Sequence, residues 1–258
     1  MSAQASLAKY LAAAGLFALL ADQARRAASR EPGSRSPVWV DYALNTLRGT
    51  PIPAQGDGLT LPLGWLLPQL LLAIIVASYP TFGFGGYATH ALLRVGSRAG
   101  WWFAKWCWLV VSVLGFYVTG ALIWSIYGVV AHGFRISPDT QVEAILNGFD
   151  VSHLTTSQVY GALAVPLVAS LALSTVQMVL AFAVRPMLAL VLVVGYLAMS
   201  ALTGSSWLIG DYAMVARNRA FDPRGQSSAF MCLVCAAVTL VAVGLGIWSF
   251  SRRDVLHS

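Results

Sequence analysis

Residue types that can perform catalysis are present in this sequence, but their spacing offers little chemistry. Cys232 and Cys235 form a C-x-x-C pair, which could bind a metal or exchange a disulfide at an accessible helix start. The pair lies in an uncharged segment among Met231, Leu233 and Val234, so we expect two buried, inert thiols. The histidines have neither the H-E-x-x-H pattern nor a paired ligand spacing, so no metal site is predicted; they are His90, His132, His153 and His257.

Nucleotide and nucleophile motifs are also missing from the sequence. No G-x-x-x-x-G-K-[ST] pattern occurs, so we expect no nucleotide site in this chain. The "GFGG" run at 83–86 lacks the third glycine of a dinucleotide fingerprint and indicates a flexible helix end. No serine lies in a G-x-S-x-G elbow. The sequence therefore predicts a protein that is not an enzyme and holds no cofactor of its own.

The composition is typical of a membrane protein. Of 258 residues, 58% are hydrophobic and 10% are charged, whereas a soluble domain carries about 25% charged residues. A helix needs roughly 20 apolar residues to cross a bilayer, and most of the uncharged windows exceed that length. None of them alternates like a membrane β-strand, so we expect an all-α membrane protein. The windows are 10–21, 58–93, 106–134, 151–184, 186–210 and 225–251.

We expect six spans in a single transmembrane domain over 1–258. The first window is short, but Lys9 can extend its ammonium to the headgroups and lengthen the span. A secretory signal peptide is the alternative, and it is disfavoured because the start holds one lysine and no clean A-x-A site follows. The spans are placed near 7–24, 61–80, 106–131, 159–184, 187–208 and 229–250.

The basic residues predict the orientation. If both termini are cytoplasmic, the whole formal charge of +6 lies on the inner segments, and the 132–158 loop, with three acids against Arg135, lies outside. We therefore expect a multi-pass protein of the cell membrane. The basic charge is explained by this topology and by contact with anionic lipid, and nothing indicates nucleic acid. The inner basic residues are Lys9, Arg94, Arg98, Lys105, Arg185, Arg252 and Arg253.

The connections between the spans follow turn chemistry. The proline-rich 22–60 segment is an external loop with at most short helices. Residues 137–148 predict a surface helix, with Ser137 as N-cap, Pro138 in the first turn and Gly148 as the stop. Arg185 with Pro186 predicts a tight hairpin between two antiparallel spans.

The confident spans contain no ionisable residue, which argues against an ion-coupled pump. They contain polar, uncharged side chains instead. These side chains could hold helices together by hydrogen bonds, as could the small residues Ala242 and Gly246, or they could line a path for an amphipathic passenger. The candidates for pathway lining are Gln69, Thr119, Ser125, Ser170, Ser174 and Gln177.

The stretch 91–108, "ALLRVGSRAGWWFAKWCW", combines basic residues with tryptophans before an uncharged run. One interpretation is an interfacial anchor, with Trp101, Trp102 and Lys105 at the headgroup level. The connection is longer than an anchor alone requires, and within it 87–95 could form an amphipathic helix that lies on the membrane. Such a helix would offer a cytoplasmic partner a docking surface.

Residues 61–108, "LPLGWLLPQLLLAIIVASYPTFGFGGYATHALLRVGSRAGWWFAKWCW", resemble the second span and following cytoplasmic loop of type-2 ABC-transporter permeases. The small Gram-positive members found near peptide-antibiotic export and immunity systems are the most similar. The end of the chain is similar too: "ARNRAFDPRGQ", one apolar span, then "FSRRDVLHS". The weak first span and the long first loop depart from commoner members.

This resemblance implies a six-helix ABC exporter permease bundle with an amphipathic cytoplasmic coupling helix over 86–98. It implies a second permease chain, identical or related, and a separate ATPase that binds ATP and Mg. Arg94, Ser97 and Arg98 would contact that ATPase, and Trp101 with Trp102 would pin the helix to the headgroups. The expected passenger is an amphipathic peptide, lipid or drug-like molecule. The alternative is an immunity protein that captures a peptide through its external loops without transporting it.

Overall fold

The computed structural model describes residues 3–30, 35–53, 61–77, 97–132, 137–203, 205 and 207–252. This part of the chain is built from helices and holds no β-strand. The helices are α1 (Ala3–Ala28), α2 (Trp39–Leu47), α3 (Leu63–Ala77), α4 (Arg98–His132), α5 (Thr140–Asn147), α6 (Thr156–Ala183), α7 (Pro186–Thr203), α8 (Ile209–Tyr212) and α9 (Ser228–Arg252), with a 3₁₀ turn at Val215–Arg217.

Five of these helices, α1, α4, α6, α7 and α9, are long and apolar enough to cross a membrane. The coarse expectation of an all-α, multi-pass membrane protein is therefore confirmed. Helix α3 is apolar throughout, but its 15 described residues span only about 22 Å against a hydrocarbon core of about 30 Å. Residues 78–80, where this span was expected to end, lie outside the described residues.

Two boundaries differ from the expected spans. Helix α4 begins at Arg98, eight residues before the expected start at 106, because Ser97 caps it and the Gly-Trp-Trp-Lys stretch is helical. Helix α7 ends at Thr203 and not near 208. The residues that follow turn back over the bundle, and the Ile209 N–H donates to the Tyr196 hydroxyl of α7 at 2.8 Å.

The helices alternate in direction, which gives the bundle two ends. We call the end with the starts of α1, α4 and α7 the inner end and the opposite one the outer end. A contact at the inner end supports this arrangement: Lys9 near the start of α1 donates to the Ile75 carbonyl near the end of α3 at 3.5 Å. Helices α6 and α7 are joined through Val184 and exposed Arg185 alone, so the expected tight hairpin is confirmed.

Helix α6 lies at the centre of the bundle. Of its span, 56% is buried, against 22–39% for the other four candidate spans. It packs most extensively on α9, and also on α3, α4 and α7. The sequence accounts for this position, because small residues such as Ala162, Ala169 and Ala172 let neighbouring backbones approach closely.

Short helices cover the outer end. Helices α2 and α5 pack on each other and on α1, which places the expected short helices of the first loop and of 137–148 side by side. The N-cap of α5 is Asp139 and not Ser137, since the Asp139 carboxylate accepts from the backbone N–H groups of Gln141 and Val142. Gly148 ends the helix with φ 65°, as the sequence predicts.

Candidate functional site

Three polar side chains from three helices form a closed hydrogen-bonded ring in the middle of the bundle. Gln69 of α3 donates its amide to the Tyr117 hydroxyl of α4 at 3.4 Å. Tyr117 lies 2.8 Å from the Ser170 hydroxyl of α6, and Ser170 donates to the Gln69 carbonyl at 3.0 Å. Since Ser170 gives its proton to Gln69, Tyr117 is the donor to Ser170, and it also lies 3.1 Å from the Pro166 carbonyl. The ring satisfies its own members and holds three helices together.

A cleft lies beside this ring, between α3, α6 and α7. It contains about 220 Å³ of empty space, part of it open to the surroundings. Ser174 and Gln177 face it from α6, one helical turn apart, and both are buried. The lining residues are Gln69, Leu72, Ala73, Ser170, Leu173, Ser174, Gln177, Val193 and Leu197. We call this space the mid-membrane cleft.

The expected pathway-lining residues therefore divide into two groups. Gln69, Ser170, Ser174 and Gln177 are brought together around the mid-membrane cleft. Thr119 and Ser125 are half-buried elsewhere on α4 and do not line it, and the Thr119 hydroxyl bonds the Gly115 carbonyl of its own helix at 2.8 Å. Sequence reasoning missed Tyr117, because nothing in an uncharged aromatic-rich span marks one hydroxyl as facing inward.

The inner end of α4 is packed into an aromatic cluster. Trp101 stacks on Phe250 of α9 with ring centroids 5.0 Å apart and an interplanar angle of 13°, and Lys105 lies 5.1 Å over the Trp101 ring. Trp102 is fully buried and its indole covers Gly246 of α9. Both tryptophans therefore pack on α9, and Trp101 also meets Phe182 of α6, while their expected contact with headgroups stays a prediction. The close packing at Gly246 agrees with the small-residue spacing in α9.

The structure describes the three expected docking residues to different extents. Arg94 lies outside the described residues. Ser97 is exposed, and its hydroxyl accepts the Gly100 N–H at 3.0 Å, so it caps α4. Arg98 is the first residue of α4, and its side chain is not among those described. Ser97 and Arg98 thus mark the point where the 78–96 segment enters a rigid helix.

A buried ion pair anchors the last outer segment. Arg217 and Asp211 are 2.8 Å apart and almost completely buried. Arg217 also donates to the Ser200 and Ala201 carbonyls at the end of α7, both at 2.8 Å, and to the Thr50 carbonyl at 3.0 Å. Burial raises the pKa of Asp211, while Ser200 and Arg217 oppose that rise by bonding its ionised form. The arrangement ties together three parts of the chain.

A second buried network joins α2 to α5. Both Asp41 oxygens accept backbone N–H groups, from Val38 at 2.9 Å and from Asp139 at 3.1 Å. The Glu143 carboxyl contacts that of Asp41, and its other oxygen accepts from the Asn147 amide at 2.7 Å. Burial, then the Asp41 charge, raises the pKa of Glu143 to about 9, and burial raises that of Asp41 to about 6. Burial therefore favours the protonated form of Glu143.

The described residues contain no group of three or more metal-ligating side chains. Cys232 and Cys235 lie one turn apart in α9 as free thiols, half-buried and buried respectively. His153 lies in the turn before α6, whereas His90 and His257 fall outside the described residues.

Comparison with known proteins assigns a family and no activity. No curated protein and no solved structure matches the chain. The resemblance to ABC-transporter permeases rests on the quoted motifs alone. One family model, described as "Protein of unknown function (DUF2705)", matches residues 41–256, from the start of α2 to beyond the end of α9. The chain therefore belongs to the DUF2705 family of proteins of unknown function.

Proposed function

We propose that this protein is the permease subunit of an ATP-driven exporter in the cell membrane, powered by a separate ATPase chain. In this proposal both termini and the inner end face the cytoplasm. The ATPase binds ATP and Mg and docks on 86–98, with contacts to Arg94, Ser97 and Arg98. A second permease chain, identical or related, completes the path, and the passenger is an amphipathic peptide, lipid or drug-like molecule.

The observation that carries the proposal is the continuity of α4. This helix runs from Arg98 at the inner end to Tyr117 in the mid-membrane ring without a break. The two residues are 19 positions apart, which corresponds to about 28 Å along the helix axis. A tilt applied at the docking segment would therefore reach the ring directly, because an unbroken helix moves as a rigid element. This is a route from a cytoplasmic motor to the membrane interior.

The charges in the described part of the spans also support an external motor. Helices α3, α6 and α7 contain no charged residue. The described charged residues of α1, α4 and α9 lie within about two turns of a helix end, and the buried polar groups at mid-depth are neutral. A proton- or ion-coupled carrier places ionisable groups at that depth. The neutral interior favours a transporter that takes its energy from another chain.

The test is purification from native membranes in mild detergent, followed by identification of the proteins that accompany the chain. We expect a Walker-A ATPase. Arg98→Glu should remove that ATPase from the preparation, because it reverses the charge at the docking point. Arg185→Glu is the matched control, since Arg185 is an exposed arginine at the inner end that lies in the other connection. Size-exclusion profiles check that both variants fold.

Two results contradict the proposal. One is a preparation of the wild-type protein that contains no ATPase, and the other is equal ATPase recovery with both arginine variants. The orientation is tested separately with Ser97→Cys, which should react with a membrane-impermeant maleimide only after the cells are opened. Ser97 suits this test because it is exposed.

The short helices at the outer end favour one alternative, a non-transporting protein that binds a peptide outside the cell. The observation behind it is that α2, α5 and the 209–217 segment are fixed to the bundle by buried polar networks and so form a shaped outer surface. Protection of cells from a peptide antibiotic by this chain alone, with the ATPase gene deleted, would support this alternative over the exporter.

A further inference from the structure

The mid-membrane cleft contains polar groups that lack partners within the described part of the chain. Ser174 is 4% exposed, yet its hydroxyl makes no hydrogen bond there. Gln177 is 1% exposed; its amide donates to the Ala73 carbonyl at 2.8 Å, but its carbonyl oxygen accepts no bond. Buried polar groups in membrane helices are normally bonded, because hydrocarbon offers no alternative partner.

Other hydroxyls in the same helices behave differently. Ser112, Thr119 and Thr175 each donate to the carbonyl four residues earlier in their own helix, at 2.8–2.9 Å. This local bond is the ordinary solution for a hydroxyl in a membrane helix. Ser174 does not use it, although it also sits in an unbroken helix. Its hydroxyl therefore remains available to the space that it faces.

We infer that the mid-membrane cleft is a binding site for a single uncharged hydrogen-bonding group, a hydroxyl or an amide, carried on an apolar body. This inference rests on the proposed function and names the chemical class of its passenger. The bound group would accept from the Ser174 hydroxyl and donate to the Gln177 carbonyl oxygen. These residues are three apart on one face of α6, so both can reach the same small group.

The remaining walls decide what is excluded. Gln69 and Ser170 are already bonded within the ring, and the other walls are apolar, from Leu72 and Ala73 on α3 to Val193 and Leu197 on α7. No charged residue of the described chain lines the cleft. A carboxylate or ammonium would be stripped of water there without a counter-charge, which costs several kcal/mol or more. The 220 Å³ of empty space includes the part that is open to the surroundings, and the enclosed part has room for about one water-sized group. The site fits a short portion of an amphiphile and excludes its charged parts.

The experiment uses the purified full chain in lipid nanodiscs without any ATPase. The probe is an octanol that carries a photoreactive diazirine on its alkyl chain, and the comparison probe is the corresponding octanoate at pH 8. Mass spectrometry locates the adducts. We expect saturable octanol labelling of cleft residues on α6 and α7, and at least about tenfold less labelling by octanoate.

Two substitutions separate the site from general lipid exposure. Ser174→Ala should weaken octanol labelling about fivefold, as expected for one neutral hydrogen bond, and Ser174→Leu should abolish it by filling the cleft. Ser112→Ala is the matched control, because it removes a buried hydroxyl that faces away from the cleft, and it should change nothing. Size-exclusion profiles of all three variants establish that they fold.

Three results overturn the inference. They are labelling that does not saturate, equal labelling by octanoate, and unchanged labelling in both Ser174 variants, which would mean that octanol binds without the Ser174 hydroxyl. Failure of the exporter proposal looks different: octanol binding would persist while no ATPase accompanies the chain. Conversely, recovery of an ATPase without saturable labelling would support the exporter proposal and refute the binding site.

Discussion

Replacement of Glu143 by glutamine should stabilise this protein at neutral and alkaline pH. In the wild type the Glu143 carboxyl is fully buried against the Asp41 carboxyl, whose two oxygens already accept backbone N–H groups. Glu143 is therefore the partner that carries the proton, and burial holds its pKa at about 9. A glutamine needs no proton: its amide can donate to Asp41 while its carbonyl accepts from Asn147.

The magnitude follows from the proton. An unfolded glutamate has a pKa of about 4.3, so protonating it at pH 7 costs about 1.4 kcal/mol for each of roughly 2.7 pH units. The wild type therefore loses up to about 3–4 kcal/mol of stability between pH 4 and pH 7, and more as the pH rises towards 9. The sign is fixed because the folded pKa lies above the unfolded one. Glu143→Gln should be up to about 3 kcal/mol more stable than the wild type at pH 7 and equal to it near pH 4.

Asp41→Asn should have the opposite effect at neutral pH. Each Asp41 oxygen serves one backbone donor, Val38 on one side and Asp139 on the other. An asparagine has only one oxygen, so one buried N–H loses its acceptor at a cost of about 1–3 kcal/mol. At neutral pH, Glu143→Gln should therefore raise the free energy of unfolding and Asp41→Asn should lower it.

The assay is thermal unfolding of the detergent-purified proteins, followed by tryptophan fluorescence between pH 4 and pH 9. The difference between variant and wild type reports the pair formed by Glu143 and Asp41, since neighbouring Arg48, Asp139 and Arg35 are present in both. The reasoning is refuted if Glu143→Gln is less stable than the wild type at pH 8, or if their difference does not change with pH.

Two further predictions concern packing and the buried ion pair. Gly246→Ala should lower stability by about 1–3 kcal/mol in the same unfolding assay, because the added methyl group meets the α4 indole that covers this position; Gly244→Ala, with nothing within 4 Å, should be tolerated. Arg217→Ala should cost about 3–5 kcal/mol because it leaves Asp211 as a buried, unpaired charge, whereas alanine at exposed Arg219 should have little effect. A similar unfolding temperature within either pair of variants would contradict the corresponding contact.

The spans were predictable because their signal is local. The length of the uncharged segments alone predicted five spans, and most of the predicted ends lie within a few residues of the observed ones. These spans are α1, α4, α6, α7 and α9. The start of α4 was missed since arginine, glycine and tryptophan suggest an interfacial loop, while a helix that projects past the hydrocarbon tolerates all three. Ser97 is a residue type that favours helix N-caps, and it was the signal in the sequence that could have located this start.

The polar interior was predictable only in part. Composition identified the hydroxyls and amides within the spans, but a serine or threonine can bond its own helix and gives no indication of the direction it faces. Thr119 and Ser174 are both hydroxyl residues within an uncharged span, yet Thr119 bonds its own helix and Ser174 faces the cleft. The contact between Asp41 and Glu143 joins residues 102 positions apart, so no spacing rule could have found it.

The bond between Arg217 and Thr50 sets an order of events during biogenesis. The Thr50 carbonyl lies 167 residues before its guanidinium partner. At about 5–20 residues per second, the ribosome needs roughly 8–33 seconds to supply that partner once residue 50 has been made. Over this interval the Thr50 carbonyl has no guanidinium to accept from, so the residues around it are held less firmly than in the complete protein.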